Sequence, residues 1–118
     1  MNNPKIGLVT VLYNSPDVLS DFFSSLALQN YNNYFLYVVD NSSSPESIDL
    51  AKKLSTDFNI PTHFIDNQGV NVGVAAGNNQ GAKEAYVHEC DYIVFLNNDL
   101  IFEDPNILQR LVFEAETK

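Results

Sequence analysis

Asn97, Asn98 and Asp99 stand in a row inside "FLNNDLIF", residues 95–102, with apolar residues on both sides. Two amides and a carboxylate are hard oxygen donors. Mg²⁺ and Mn²⁺ are typically held by one or two carboxylates together with a substrate's phosphates. The same residues also form simple turns, because Asn and Asp hydrogen-bond their own backbone, and the triplet alone reads first as a turn. A second acidic position, Asp40, follows the apolar run "LYVV" and precedes Asn41 and three serines. A carboxylate there can accept from a nucleobase N–H or from ribose hydroxyls; it can equally open a loop as an Asx-turn or helix cap. A third stretch, "DNQGVNVGVAAGNNQG" at 66–81, holds four of the chain's five glycines. A Gly-rich turn into a helix exposes backbone N–H groups and suits a phosphate or sugar, or it packs a helix closely. It is neither a dinucleotide fingerprint nor a P-loop, since no G-x-G-x-x-G and no G-K-[ST] occurs.

The elements around these groups alternate. "KIGLVTVLY", "YFLYVVD", "PTHFID" and "DYIVFLN" read as strands, the first a nearly continuous β-rich run of the kind buried on both faces. "SPDVLSDFFSSLALQ" reads as a helix with Ser15 as N-cap and Pro16 at its first position, Leu19, Phe22, Phe23 and Leu26 sharing one face. "SPESIDLAKKLSTDF" repeats the device at Ser44 and Pro45, with Ile48, Ala51 and Leu54 inward. "VAAGNNQGAKEAYVHE" is helical despite Gly77 and Gly81. "DPNILQRLVFEAE" begins at Asp104 and Pro105, with Leu108, Leu111 and Val112 as its stripe. The pattern is βαβαβαβα, hence an α/β fold with a largely parallel sheet. Ligands of such sheets bind beyond the carboxyl ends of the strands, where strand order reverses. Tyr13-Asn14, Asp40-Asn41-Ser42 and Asn97-Asn98-Asp99 all end strands. They meet at one switch point if the first strand lies between the second and the fourth.

Composition narrows the partners. A chain of 118 residues with 45% hydrophobic residues makes one domain with a modest core. Its formal charge of −9 repels phosphate backbones and anionic headgroups unless a cation intervenes, so nucleic acid is not an expected partner. One cysteine, Cys90, excludes an internal disulfide and a Cys-based zinc site and fits a reducing, cytoplasmic compartment. The start lacks a basic n-region, and no apolar run is long enough to span a bilayer. His63 and His88 lack metal-ligand spacing and read as structural, Cys90 as an inert thiol, and Asp17 and Asp21 as a solvated face.

Taken together and in order, these pieces resemble family 2 glycosyltransferases, over essentially the whole chain. "VTVLYNSPDVLSDFFSSLALQNY" is similar to that family's opening strand, loop and helix. "VVDNSSSPES" resembles its VDNSS segment, "NVGVAAGNNQG" its N-x-G-x-(small)-x-x-x-N-x-G segment, and "FLNNDLIF" its D-x-D-like metal motif. The NND form looks most like the rhamnosyltransferase-like bacterial branch. The resemblance implies a three-layer α/β/α fold of the GT-A type and an inverting transfer of sugar from a nucleotide-diphosphate donor to an acceptor hydroxyl, in polysaccharide or glycan synthesis. Carried over by position, Thr10, Tyr13 and Asn14 would border base and ribose. Asp40, with Asn41 beside it, would contact the base, a uracil or thymine N–H suiting the carboxylate. Asn71, Gly73 and Asn78 would lie near base, ribose or diphosphate. Asn97 would touch the ribose or a metal-bound water, Asn98 would join the nucleotide-sugar contacts, and Asp99 would bind Mn²⁺ or Mg²⁺ bridging the phosphates.

Two departures matter. Asn97 stands where a charged residue is common. The chain also offers no catalytic carboxylate between Asp99 and Lys118, where Glu103, Asp104, Glu114 and Glu116 read as loop, cap and exposed helix positions. The expectation is therefore a donor-binding portion, residues 1–118, without the acceptor-binding part. Such a portion would be inactive in transfer by itself, prone to self-association, and peripheral at the inner membrane face within a longer protein. A glycan or lipid-linked acceptor is implied. The rival readings are a non-catalytic nucleotide-binding module and a phosphoacceptor receiver domain. The latter requires an acidic pair where this chain has Tyr13-Asn14.

Overall fold

The computed structural model describes residues 3–117. Four strands, β1 (Ile6–Leu12), β2 (Tyr34–Asp40), β3 (Thr62–Asp66) and β4 (Tyr92–Phe95), alternate with four helices, α1 (Leu19–Leu26), α2 (Glu46–Asp57), α3 (Val74–Val87) and α4 (Ile107–Glu116). All pairings are parallel and the strand order is β3-β2-β1-β4. The first strand thus lies between the second and the fourth, and strand order reverses across β1. Leu12 sits opposite Asp40, and Asp40 opposite Asp66, so the second and third strands end level with the first.

Alternation along the strands divides the core into two layers. Ile6, Leu8, Leu12, Leu36 and Val38 pack with Leu19, Phe22, Phe23 and Leu26 of α1, Ala51 and Leu54 of α2, and Leu108 and Val112 of α4. On the other face Val9, Tyr37 and Ala85 make a smaller core under α3. The architecture is α/β/α, as expected. The α3 glycines have a packing role: a Cβ on Gly81 would come within 2.4 Å of Val9 Cγ1, and one on Gly77 within 3.1 Å of Val11 Cγ2. These bare helix positions let α3 lie directly on β1.

The helix starts differ from the sequence reading. Pro16–Val18 forms a 3₁₀ turn before α1, and Ser15 caps nothing with its side chain. Neither does Ser44, since α2 opens after Pro45 with Glu46 and Asp49 in its first turn, where acidic groups suit the helix dipole. Helix α4 starts later than predicted, because Asp104 Oδ1 accepts from the Asn106 N–H (2.8 Å) and closes a local turn first. Leu111 is 43% exposed and leaves the stripe, which Ile107 joins instead. Asp17 and Asp21 are exposed, as expected. His63 and His88 belong to a ring stack with the buried Tyr37, whose hydroxyl meets His88 Nδ1 at 3.0 Å. No described helix is long and apolar enough to cross a membrane.

Candidate functional site

Three loops leave the carboxyl ends of β1, β2 and β4, and asparagines tie them together. Asn14, at φ 47°, donates its backbone N–H to Ser42 Oγ (2.8 Å) and accepts at Oδ1 from the Ser43 N–H (3.0 Å) and hydroxyl (3.2 Å). The tolerance of Asn for left-handed backbone explains the residue type at that bend. Asn41 is buried; its amide donates to the Gly73 carbonyl (3.1 Å) and accepts from Asn67 Nδ2 (2.8 Å). Asn67 in turn pairs reciprocally with Gln80 of α3 (2.9 and 3.0 Å). Asn98 donates to the Val11 carbonyl (2.6 Å) and to Thr10 Oγ1 (3.3 Å). Thr10 itself is only 1% exposed. Thr10, Asn14, Asn41 and Asn98, all read from sequence as ligand contacts, therefore serve as cross-braces in this structure.

Of these, Thr10 and Asn41 are buried, whereas Asn14 is exposed and Asn98 also lines the hollow beside Asp99. The triplet does form a turn, with the Leu100 N–H on the Asn97 carbonyl (3.2 Å), and that turn leaves the Asn97 and Asp99 side chains exposed. Asp99 has no hydrogen-bond or ion-pair partner among the described residues. With Tyr13, Ser15 and Val18 it lines a hollow of about 370 Å³. A neighbouring hollow of about 170 Å³, between α3 and β4, brings Asn78 beside Asn97. Across β1, Asp40 lines a hollow of about 340 Å³ with Ser43, Ser44, Asp66 and Gln68. One Asp40 oxygen accepts from the Ser42 N–H (3.0 Å), which orients the carboxylate. Asn71 Oδ1 accepts from the Gly73 N–H (2.9 Å), and Gly73, at φ 90°, turns the chain into α3. No side chain caps the first N–H groups of α3.

Among the lining residues missed from sequence are three with carboxylate or amide side chains. Asp66 and Gln68 join Asp40, and Glu103 shares with Asp99 a hollow of about 470 Å³. The signal for Asp66 was available, because it ends β3 as Asp40 ends β2. A further hollow, about 420 Å³, lies between Tyr31 and Phe113 at the opposite end of the sheet, away from all three polar loops.

The donor set suits a hard cation. An exposed, unpartnered carboxylate beside an amide oxygen offers oxygen ligands, and no cluster of three or more His, Cys, Asp or Glu converges among the described residues. Such a site holds a divalent ion only with help from an anionic ligand. Asp40 ends β2 and Asn97 lies two residues past β4, on either side of β1, and the two strands are two spacings or roughly 10 Å apart across the sheet. An extended ligand with a hydrogen-bonding head and a metal-bound anionic tail fits that span.

Comparison with known proteins bears on the fold and the family. The chain is 29% identical over 114 residues to an uncharacterized glycosyltransferase of Haemophilus influenzae, covering 96% of this chain and 43% of that protein. Its fold matches the mannosyltransferase PcManGT of Pyrobaculum calidifontis, solved with GDP-Man and Mn²⁺, at a TM-score of 0.81 and 16% identity, over 92% of this chain and 31% of that one. It matches residues 1–349 of S. aureus TarS, solved with UDP-GlcNAc, at a TM-score of 0.80 and 18% identity, over 96% of this chain and 31% of that one. The chain thus spans less than half the length of these relatives. The fold is that of GT-A glycosyltransferases, and Tyr13-Asn14 at the end of β1 leaves no acidic pair for a receiver domain. The profile of glycosyl transferase family 2 matches residues 8–118, nearly the full length, and the chain belongs to that family.

Proposed function

We propose that this chain is the donor-binding portion of a glycosyltransferase that takes a UDP- or dTDP-linked sugar and a divalent cation. The observation that carries the reading is the pair of carboxylates on either side of β1, a buried, oriented Asp40 and an exposed, unpartnered Asp99. Asp40 accepts the ring N–H of uracil or thymine. Tyr13, exposed at the end of β1, covers base and ribose. Asn97 and Asn78 flank the ribose and diphosphate, and the uncapped N–H groups of α3 favour negative charge at its start. Asp99, with Asn97 beside it, holds Mn²⁺ or Mg²⁺. When bound, the cation neutralises the diphosphate leaving group. PcManGT and TarS were solved with different nucleotide sugars, which supports the class of donor and leaves the base to Asp40.

Transfer to a glycan or lipid-linked acceptor also needs a base to deprotonate the acceptor hydroxyl. None of the residues above is assigned that role. Residues 1–118 are proposed to bind donor without transferring it, the acceptor-side groups belonging to the greater length that the relatives have. Calorimetry with UDP, dTDP and ADP, each with and without Mn²⁺, tests the reading. UDP or dTDP should bind more tightly than ADP, and only with the cation. Metal-independent binding or a preference for ADP would overturn it. Robust sugar transfer by the 118-residue chain would show that it contains the base after all.

A further inference from the structure

We propose that Asn98 is a positioning residue that presents Asp99, and not itself a ligand of cation or nucleotide; this rests on the donor-site reading above. The β1–β4 ladder ends where Val9 sits opposite Phe95, with the Leu96 N–H on the Val9 carbonyl (2.8 Å). Carbonyls two residues apart on a strand point the same way. The Val11 carbonyl therefore also faces β4, and in a continuing ladder it would take a backbone N–H from beyond Leu96. It takes the Asn98 side-chain amide instead, at 2.6 Å. One side chain thus supplies a rung that the backbone has given up. The backbone from Asn97 to Leu100 is freed to turn outward, with its own closing bond from the Leu100 N–H to the Asn97 carbonyl.

The orientation of this amide is determined by chemistry, because a carbonyl can only accept and so must meet the NH₂ end. That end also reaches Thr10 Oγ1 (3.3 Å), while Asn98 Oδ1 lies 3.5 Å from Ser15 Oγ. All three anchors belong to β1 or the loop that follows it, and the half-buried Asn98 has both ends of its amide directed at them. Its neighbours Asn97 and Asp99 are exposed and face the hollows. Asn98 borders the hollow beside Asp99 as well, but both donor hydrogens of its amide are committed to β1. It locks a short turn from which Asp99 reaches a fixed point beside the end of β1.

Asn98→Asp separates positioning from ligation. If Asn98 touched the cation, a carboxylate would be the better ligand and Mn²⁺-dependent UDP binding would tighten. As a brace, the new carboxylate faces the Val11 carbonyl, loses both donor bonds, and should weaken that binding by about tenfold, as should Asn98→Ala. A circular dichroism spectrum matching the parent confirms that each variant is folded. Hydrogen exchange of the ligand-free protein gives the independent readout: the Leu100 amide should exchange about tenfold faster in Asn98→Ala. Tighter binding by Asn98→Asp, or unchanged exchange at Leu100, overturns the proposal. If the parent chain binds no UDP with Mn²⁺ but Leu100 still exchanges faster in Asn98→Ala, the donor reading fails and the brace stands.

Discussion

Asp99 shows how a residue within a turn can still be open to the cation proposed for it. The turn is closed by backbone, from Leu100 to Asn97, and so leaves the carboxylate free. Asp99→Asn keeps shape and turn preference but removes the charge. Contacts to charged groups are worth about 1.5–3 kcal/mol, so UDP–Mn²⁺ affinity should fall at least about tenfold. Thermal stability should hold or rise slightly, because a charge leaves an acidic chain and functional groups often stand at some cost to stability. Calorimetry beside a melt measures both, and unchanged affinity would make the triplet a turn only. Asp40 and Asp99 stand out in the sequence because each carboxylate follows closely on an apolar run. The roles of Thr10, Asn41 and Asn98 do not, because an amide or hydroxyl donates and accepts anywhere and only its neighbours decide what it does.

Among the elements, α3 bears most directly on the site, since its first turn faces the cleft and its glycines set its depth. Gly81→Ala places a methyl 2.4 Å from Val9 Cγ1. Overpacking of this kind costs about 1–3 kcal/mol and outweighs the helix propensity gained, about 1 kcal/mol. The melting temperature should drop, and Val9→Ala combined with Gly81→Ala should lose less than the two single losses added together. The far end of α3 carries a pH dependence. Burial, and then the neighbouring His88, push the His63 pKa below its ordinary 6.5, with Lys5 acting in the same direction and Glu84 opposing. The unfolded chain then binds the proton more readily than the folded one. Stability from this group is complete above about pH 6.5 and is lost as pH falls through that value. Melts at pH 7.5 and about 5.5 should show the loss, and His63→Gln should flatten the slope even though it removes a ring stacked 5.3 Å from Tyr37.

At the scale of the whole molecule, both edge strands of the sheet, β3 and β4, are paired on one side only. The β4 edge is four residues long; its last residue, Phe95, is 52% exposed, and Ile101 in the loop that follows is 50% exposed. An apolar patch next to an unpaired edge favours pairing with another chain. The net charge of −9 opposes this, so association should strengthen with salt as the repulsion is screened. Light scattering should show mass rising with concentration, more steeply at high ionic strength, and Ile101→Lys should suppress the rise. A monomer at all concentrations would mean that these side chains cover themselves in solution.

Local pattern sufficed for the element order, the parallel α/β class and the three polar strand ends, because strand and helix periodicities and Pro-marked helix starts are properties of short segments. Family motifs in sequence added the candidate ligands. Strand order could only be posed as a condition, and the tertiary structure met it by placing β1 between β2 and β4. The helix caps assigned to Ser15 and Ser44 failed, because a hydroxyl takes whichever partner folding brings near, and for Ser15 that is Asn98. Leu111 left the stripe and Ile107 joined it, because α4 starts late and its inner face is determined by where it lies against the sheet. Which asparagines brace and which face the cleft was decided last, by the ladder ending at Phe95 and leaving the Val11 carbonyl in need of a donor.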